Sequence, residues 1–247
     1  MPEKHFYEQK DYTKEYLIPY FSKHIPRFTS MKTLEIGCAE GGLIVALKEL
    51  GLDARGIELS NDRAELGNKM AGNSNIIVGD ITDPELVTKI GEKFDLIIMR
   101  EVIEHLHEKE RAFNNLYSLL NDGGYLFISF PPKFSPFAGH QQIGKSFLKA
   151  MPYLHLLPVN FLKFLGKKLN ENSTYIDEIK LHYSTGCTIK KFESLSRDSN
   201  LTPVIKELFL FRPVYARRFG LPTIKIPGIP LLREMISFGC EALLQKR

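Results

Sequence analysis

Leu34-Glu35-Ile36-Gly37-Cys38-Ala39-Glu40-Gly41-Gly42 is the stretch on which the fold turns. It leaves a short apolar strand, 33–36, and enters a helix predicted over 43–50. Small residues at 37, 39, 41 and 42 let the chain turn sharply and bring its backbone close to a ligand. Free amides at the mouth of the following helix favour an anionic or electron-rich group.

Outward from this turn the strand–helix alternation repeats. Strands are predicted over 54–59, 75–78, 94–99 and 125–130, with helices over 61–71, 84–91 and 108–120 between them. Residues 94–99 are apolar almost throughout, as in a strand covered on both faces. Asn121-Asp122-Gly123-Gly124 is a helix stop. Such alternation builds an α/β, doubly wound, mainly parallel sheet. It breaks at Pro131-Pro132, where an insertion of loops and short helices follows the fifth strand. A helix over 188–198 and a strand over 203–211 resume the pattern, and the tail is predicted to end in an amphipathic helix over 231–244. At the other end, Tyr16, Tyr20 and His24 recur every four residues in a helix expected over 10–29. The expected segments are an N-terminal helical segment (1–30), a core (31–130), an insertion serving as lid (131–185), completion of the core (186–212) and a basic apolar tail (213–247).

Two acids follow the Gly-rich turn at successive strand ends. Glu58 closes the second strand, where a carboxylate accepts both hydroxyl protons of a ribose. Asp80 closes the third, placed to accept from an exocyclic amine. Together they point to a nucleoside-containing cofactor across the carboxyl edge of the sheet. Gly37-x-Ala39-x-x-Gly42 also passes as a degenerate nicotinamide-dinucleotide fingerprint, but Glu35 before the first glycine and the later strand ends stand against it.

Length and composition, 247 residues with 43% hydrophobic and 25% charged, fit a soluble globular chain. The cysteines, three in number and far apart, exclude a disulfide framework and fit a reducing compartment. The charged start is unlike a secretory signal, and no apolar run of about 18 residues suggests a spanning helix, so a cytoplasmic location is expected. The net charge of +4 is uneven: −6 over 1–130, +6 over 131–170, −1 over 171–211 and +5 over 212–247. Basic, apolar segments at 145–169 and 213–247 suggest either ordinary packing on the sheet or a peripheral membrane contact. The acidic body lacks a Lys/Arg-plus-aromatic platform, which disfavours nucleic acid.

The motifs LEIGCAEGG, GIEL, VGD and FDLIIMREVIEHL, in this order over about residues 30–130, resemble those of the class I S-adenosylmethionine-dependent methyltransferases. The resemblance implies a seven-stranded Rossmann-like sheet, S-adenosyl-L-methionine as cofactor and S-adenosyl-L-homocysteine (SAH) as product. By position it implies Gly37, Ala39 and Gly41 along the methionine part, Glu35 holding the turn, and Glu58 on the ribose. It likewise implies Leu59 against the adenine, Asp80 on the adenine amine, Ile81 over a ring face, and Arg100 near the amino-acid end. Ala39 stands where the family has glycine.

The sulfonium already activates the methyl group, so the protein aligns the partners and manages the acceptor's proton. Candidate catalytic groups are Glu101, in Glu101-Val102-Ile103-Glu104-His105, His140 in the insertion, and His182 before the next regular helix. His155, in an apolar run, reads as structural. E-x-x-E-H resembles the set with which ubiquinone-pathway O-methyltransferases and small-RNA 2′-O-methyltransferases hold a divalent metal, but the same string elsewhere only caps a helix; the favoured reading assigns no metal. The expected function is O-methylation of a small or lipid-linked, sugar-type hydroxyl acceptor. A metal-assisted enzyme acting on a quinone precursor or RNA end, and a non-catalytic cofactor-binding scaffold, are the alternatives.

Overall fold

Strand β1 (Thr33–Ile36) is buried at every residue and lies between β2 (Ala54–Glu58) and β4 (Phe94–Arg100), pairing parallel with both. The computed structural model describes residues 2–72 and 75–247. β3 (Ile76–Val78) joins beyond β2, and β5 (Leu120–Phe130) joins beyond β4, again parallel. Helices α3 (Gly42–Glu49), α4 (Asn61–Met70), α5 (Leu86–Ile90) and α6 (Lys109–Leu119) form the crossovers. The order β3-β2-β1-β4-β5 reverses between β1 and β4, so a crevice opens at the carboxyl ends of these strands.

The sheet has eight strands rather than seven, in the order β3-β2-β1-β4-β5-β8-β6-β7. The additional strand, β7 (Ile224–Lys225), is a two-residue edge piece beside β6 (Leu201–Phe211). The tail also departs from expectation. Instead of a helix over 231–244, a short α11 (Leu232–Ile236) is followed by β8 (Gly239–Lys246), which lies inside the sheet, antiparallel to β5 and β6. The reason is two-fold periodicity hidden in a mostly apolar run. Cys240, Ala242 and Leu244 enter one core cluster while Leu243 enters the cluster on the other face.

Ahead of β1, α1 (Pro2–Tyr12) and α2 (Ile18–His24) run into one another through a π-helical turn at Thr13–Leu17. Helix starts at Pro2, well before the expected residue 10. Tyr12, Tyr16 and Tyr20 stack in succession at 5.3 and 5.9 Å between ring centroids. Phe21 meets Phe127 of β5 edge-on at 5.2 Å, and both are fully buried. Each such ring contributes roughly 1.5–3 kcal/mol by leaving water.

The insertion contains α7 (Val159–Lys168) and α8 (Ser173–Thr185), followed by α9 (Ile189–Asp198). Leu148, Leu154, Leu162, Tyr175, Ile176 and Ile179 give it a core cluster of its own. After β6, α10 (Pro213–Phe219) turns back toward α1, and Arg217 pairs with Asp11 at 2.6 Å and with Glu15 at 2.8 Å.

Candidate active site

The Gly-rich turn is held in a left-handed conformation at three positions: Gly37 (φ 68°), Ala39 (φ 51°) and Gly41 (φ 75°). A Cβ on Gly37 would lie 2.4 Å from Val102 Cγ2, so glycine is required there for space as well as for φ. Ala39 is an alanine in a glycine conformation. The Glu58 carboxylate holds it, with Oε2 accepting from Ala39 N–H at 2.7 Å and Oε1 from Ser60 N–H at 3.0 Å. A carboxylate has about four acceptor sites, so Glu58 retains capacity for two further donors. Helix α1 packs on this turn, with Gln9 Oε1 accepting from Gly42 N–H at 3.2 Å.

The neighbouring strand ends follow. Leu59, directly after β2, is an apolar side chain left 70% exposed. Asp80 accepts from both the backbone N–H (2.8 Å) and the hydroxyl (2.7 Å) of Thr82 through Oδ1 alone. Ile81 departs from its expected place: it is 3% exposed and belongs to the main core cluster, because the chain turns inward after Asp80 to meet α6, where Asn115 donates to the Ile81 carbonyl. Arg100 acts through its side chain, pairing with Glu35 at 3.3 Å beneath the Tyr12 ring. Burial pushes the Glu35 carboxyl up to about 7 despite Arg100.

Glu101 does not share a helical face with Glu104 and His105. The helical turn is only Ile103–His105, and Glu101 stands before it at φ 54°. Both of its oxygens accept from Arg212, Oε2 from Nη1 at 2.9 Å and Oε1 from Nη2. Burial opposes its charge, but the guanidinium outweighs burial and holds the carboxyl below its usual range. Glu101 is thus an ion-pair partner rather than a free base.

The histidines converge instead. His182 lies in the last turn of α8, not ahead of a helix as expected, and its ring stacks on His140 at 3.9 Å. His105 meets both rings edge-on, at 5.2 Å from His140 and 5.0 Å from His182. One ligand nitrogen from each of the three lies within 4.8 Å of the others. Burial, then the neighbouring imidazoles, lower all three, His182 to about 4, so they are neutral at pH 7. Glu104 is buried behind them with neither oxygen hydrogen-bonded, and its Oε1 is 3.9 Å from His105 Nε2. Burial raises that carboxyl far above its usual range. His155 is structural: its Nε2 lies 3.0 Å from the Lys133 carbonyl.

A cleft of ≈ 1220 Å³ runs from the Gly37 turn, past Arg100, Glu101 and Ser129, to His140 and the rings of Phe137, Tyr215 and Phe238. Arg212 and Glu241, which also line it, were not legible as site residues in the sequence. Arg212 follows β6 without a motif, and Glu241 lies in the tail whose sequence predicts a helix. The sequence shows Tyr16, Tyr20 and His24 as a four-residue repeat; Tyr12, one turn earlier, is the ring of this series that lines the cleft.

A family described as a methyltransferase domain matches residues 7–177. The ubiquinone biosynthesis O-methyltransferase of Bartonella tribocorum is 28% identical over 167 residues, covering 64% of this chain and 66% of that protein. Its counterpart from Coxiella burnetii is 29% identical over 111 residues, 43% of this chain and 47% of that protein. The chain thus spans between about half and two thirds of these relatives' length. Among solved structures, an S-adenosylmethionine-dependent methyltransferase from Mesorhizobium loti has the same fold, with a TM-score of 0.58, 12% identity and coverage of 92% of this chain and 96% of that one. Magnesium protoporphyrin IX methyltransferase from Synechocystis, with bound SAH, gives a TM-score of 0.55 at 14% identity, covering 97% and 84%.

Proposed function

The chain belongs to the methyltransferase-domain family, within the class I S-adenosylmethionine-dependent methyltransferases, and from that premise we propose that it transfers the methyl group of S-adenosylmethionine to a hydroxyl of a small or lipid-linked acceptor. The observation that carries this reading is the single cleft joining the Gly37 turn to His140. Gly37, Ala39 and Gly41 receive the methionine part, Glu58 the ribose and Asp80 the adenine amine. The acceptor enters beyond Glu101. Its oxygen attacks the methyl carbon, the carbon–sulfur bond breaks toward sulfur, and the hydroxyl proton passes to a neutral imidazole, His140, which lines the cleft. The relatives named for ubiquinone biosynthesis support an oxygen acceptor.

A second reading, metal-assisted transfer, is favoured by the three facing imidazoles with the unpartnered Glu104 behind them. That donor set fits a divalent cation such as zinc. His105, His140 and His182 would hold it, and the ion would supply Lewis acidity toward the acceptor oxygen. The deciding experiment follows transfer of isotopic label from S-adenosylmethionine to a panel of phenols and sugars, with and without chelator. Transfer that survives exhaustive chelation supports the first reading; loss restored by added metal supports the second. Tight SAH binding with no transfer in either arm would leave only a cofactor-binding scaffold.

We also propose a peripheral membrane contact through 145–169 and 213–247. Several large apolar side chains there are left uncovered: Phe147, Phe161 and Phe164 are 65%, 46% and 61% exposed, and Leu231 is 85% exposed. Lys163, Lys167 and Lys168 share α7 with two of these rings. No helix among the described residues is long and apolar enough to cross a membrane. The protein is expected to sediment with vesicles containing anionic lipid and to be released by salt. Phe161→Ser with Phe164→Ser should abolish sedimentation, and equal sedimentation of that variant would refute the contact.

A further inference from the structure

Six cationic side chains line the cleft, and each is matched by a carboxylate. Lys4 and Arg218 pair with Glu8, Arg63 with Glu40, Arg100 with Glu35, Arg212 with Glu101, and Arg217 with Asp11 and Glu15. Of the acids lining the cleft, Glu8 and Glu101 are accounted for by these pairs. Glu241 is left over. It is 2% exposed, and among the described residues it enters no ion pair; its one hydrogen bond is from the Tyr16 hydroxyl to Oε2, at 2.7 Å.

A buried carboxylate without a counter-charge is costly to keep in place. Burial accordingly pushes the Glu241 carboxyl up to about 7, with Tyr16 and Arg212 opposing and Glu101 and Glu207 reinforcing. Arg212 offers no remedy, since both of its terminal nitrogens are on Glu101. Glu207, opposite Glu241 in the sheet, is itself paired with Lys225. Tyr12 and Tyr20 face the same carboxyl without a hydrogen bond to it. The same cleft also has an aromatic wall, made of Phe137, Phe211, Tyr215 and Phe238. Phe137 and Phe211 stack on Phe238 at 5.8 and 6.0 Å, and Tyr215 lies 6.3 Å from the same ring.

We propose that Glu241 and this aromatic wall form a subsite for a basic nitrogen carried by the acceptor. The inference rests on the reading of the cleft as an acceptor site. An ammonium supplies the missing counter-charge, donates to the free capacity of the carboxylate, and is favoured by ring faces. The subsite selects the acceptor and leaves proton removal at the reacting oxygen to His140.

The test is calorimetric titration of the SAH-loaded protein with phenethylamine and with 2-phenylethanol, its neutral analogue. The amine should bind about tenfold or more tightly than the alcohol, a difference typical of one charged hydrogen bond with ring contact. Glu241→Gln should erase that difference while SAH affinity stays unchanged. Amine binding should strengthen as pH rises through about 7, where the carboxyl gives up its proton. The alcohol should show no such dependence. Glu241→Gln should also abolish this pH dependence, whereas an origin in Glu35 would leave it intact. Should that variant fail to fold, Tyr16→Phe decides: loss of its donor should move the pH midpoint upward. Equal affinity for amine and alcohol, or a midpoint indifferent to Tyr16→Phe, overturns the subsite. Failure of SAH to bind the wild-type protein would instead overturn the reading of the cleft.

Discussion

Glu58→Ala is expected to weaken SAH binding by roughly 3 kcal/mol, about a hundredfold in Kd, because charged hydrogen bonds to the ribose hydroxyls are lost. A second loss accompanies the first. The carboxylate also holds Ala39 N–H at 2.7 Å and Ser60 N–H at 3.0 Å, and the Ala39 amide is buried. Ala39 adopts φ 51°, a conformation that costs a non-glycine residue about 1–2 kcal/mol. Without Glu58 little keeps it there, so the turn relaxes and the cofactor amides disperse. Glu58→Gln separates the two effects, since an amide retains one acceptor for the turn but presents donors where the ribose hydroxyls need acceptors. Calorimetry with SAH, alongside thermal unfolding, checks this. Undiminished affinity in both variants would displace the cofactor from this strand end.

His140→Ala should reduce turnover by about 10²–10⁴-fold, the usual contribution of a positioned general base. The SAH Kd should stay within experimental scatter, because His140 is not among the groups assigned to the cofactor. His140 is held by stacking on His182 at 3.9 Å and by edge contact with His105 at 5.2 Å. His182→Ala should therefore give a smaller loss than His140→Ala, by loosening the ring that accepts the proton. Label transfer under saturating cofactor measures both. Full activity of His140→Ala would remove the imidazole from the reaction and move attention to a different proton acceptor.

Much of the cofactor half was legible in the chain. Gly37, Ala39 and Gly41 are all left-handed, as a turn of small residues suggests; Glu58 ends β2, whereas β3 stops at Val78 and Asp80 lies two residues beyond it. The strand–helix alternation through residue 130 holds to within a few residues. The insertion was legible only as a break in pattern. Its own core of Leu148, Leu154, Leu162 and their neighbours depends on contacts between α7 and α8 that have no fixed sequence spacing.

Local periodicity and local sterics determined the parallel core, the Gly-rich turn and its acidic followers, because those features depend on neighbours within a few residues. Tertiary structure alone decided the acceptor side. His105, His140 and His182 are 35 and 42 residues apart in succession yet share one point of contact. Glu101 is claimed by Arg212 from the end of β6, and β8 carries Glu241 into the sheet between β5 and β6. Charge pairing and burial at such separations follow from how the strands are ordered, and strand order is a property of the packed sheet that no single segment of the chain encodes.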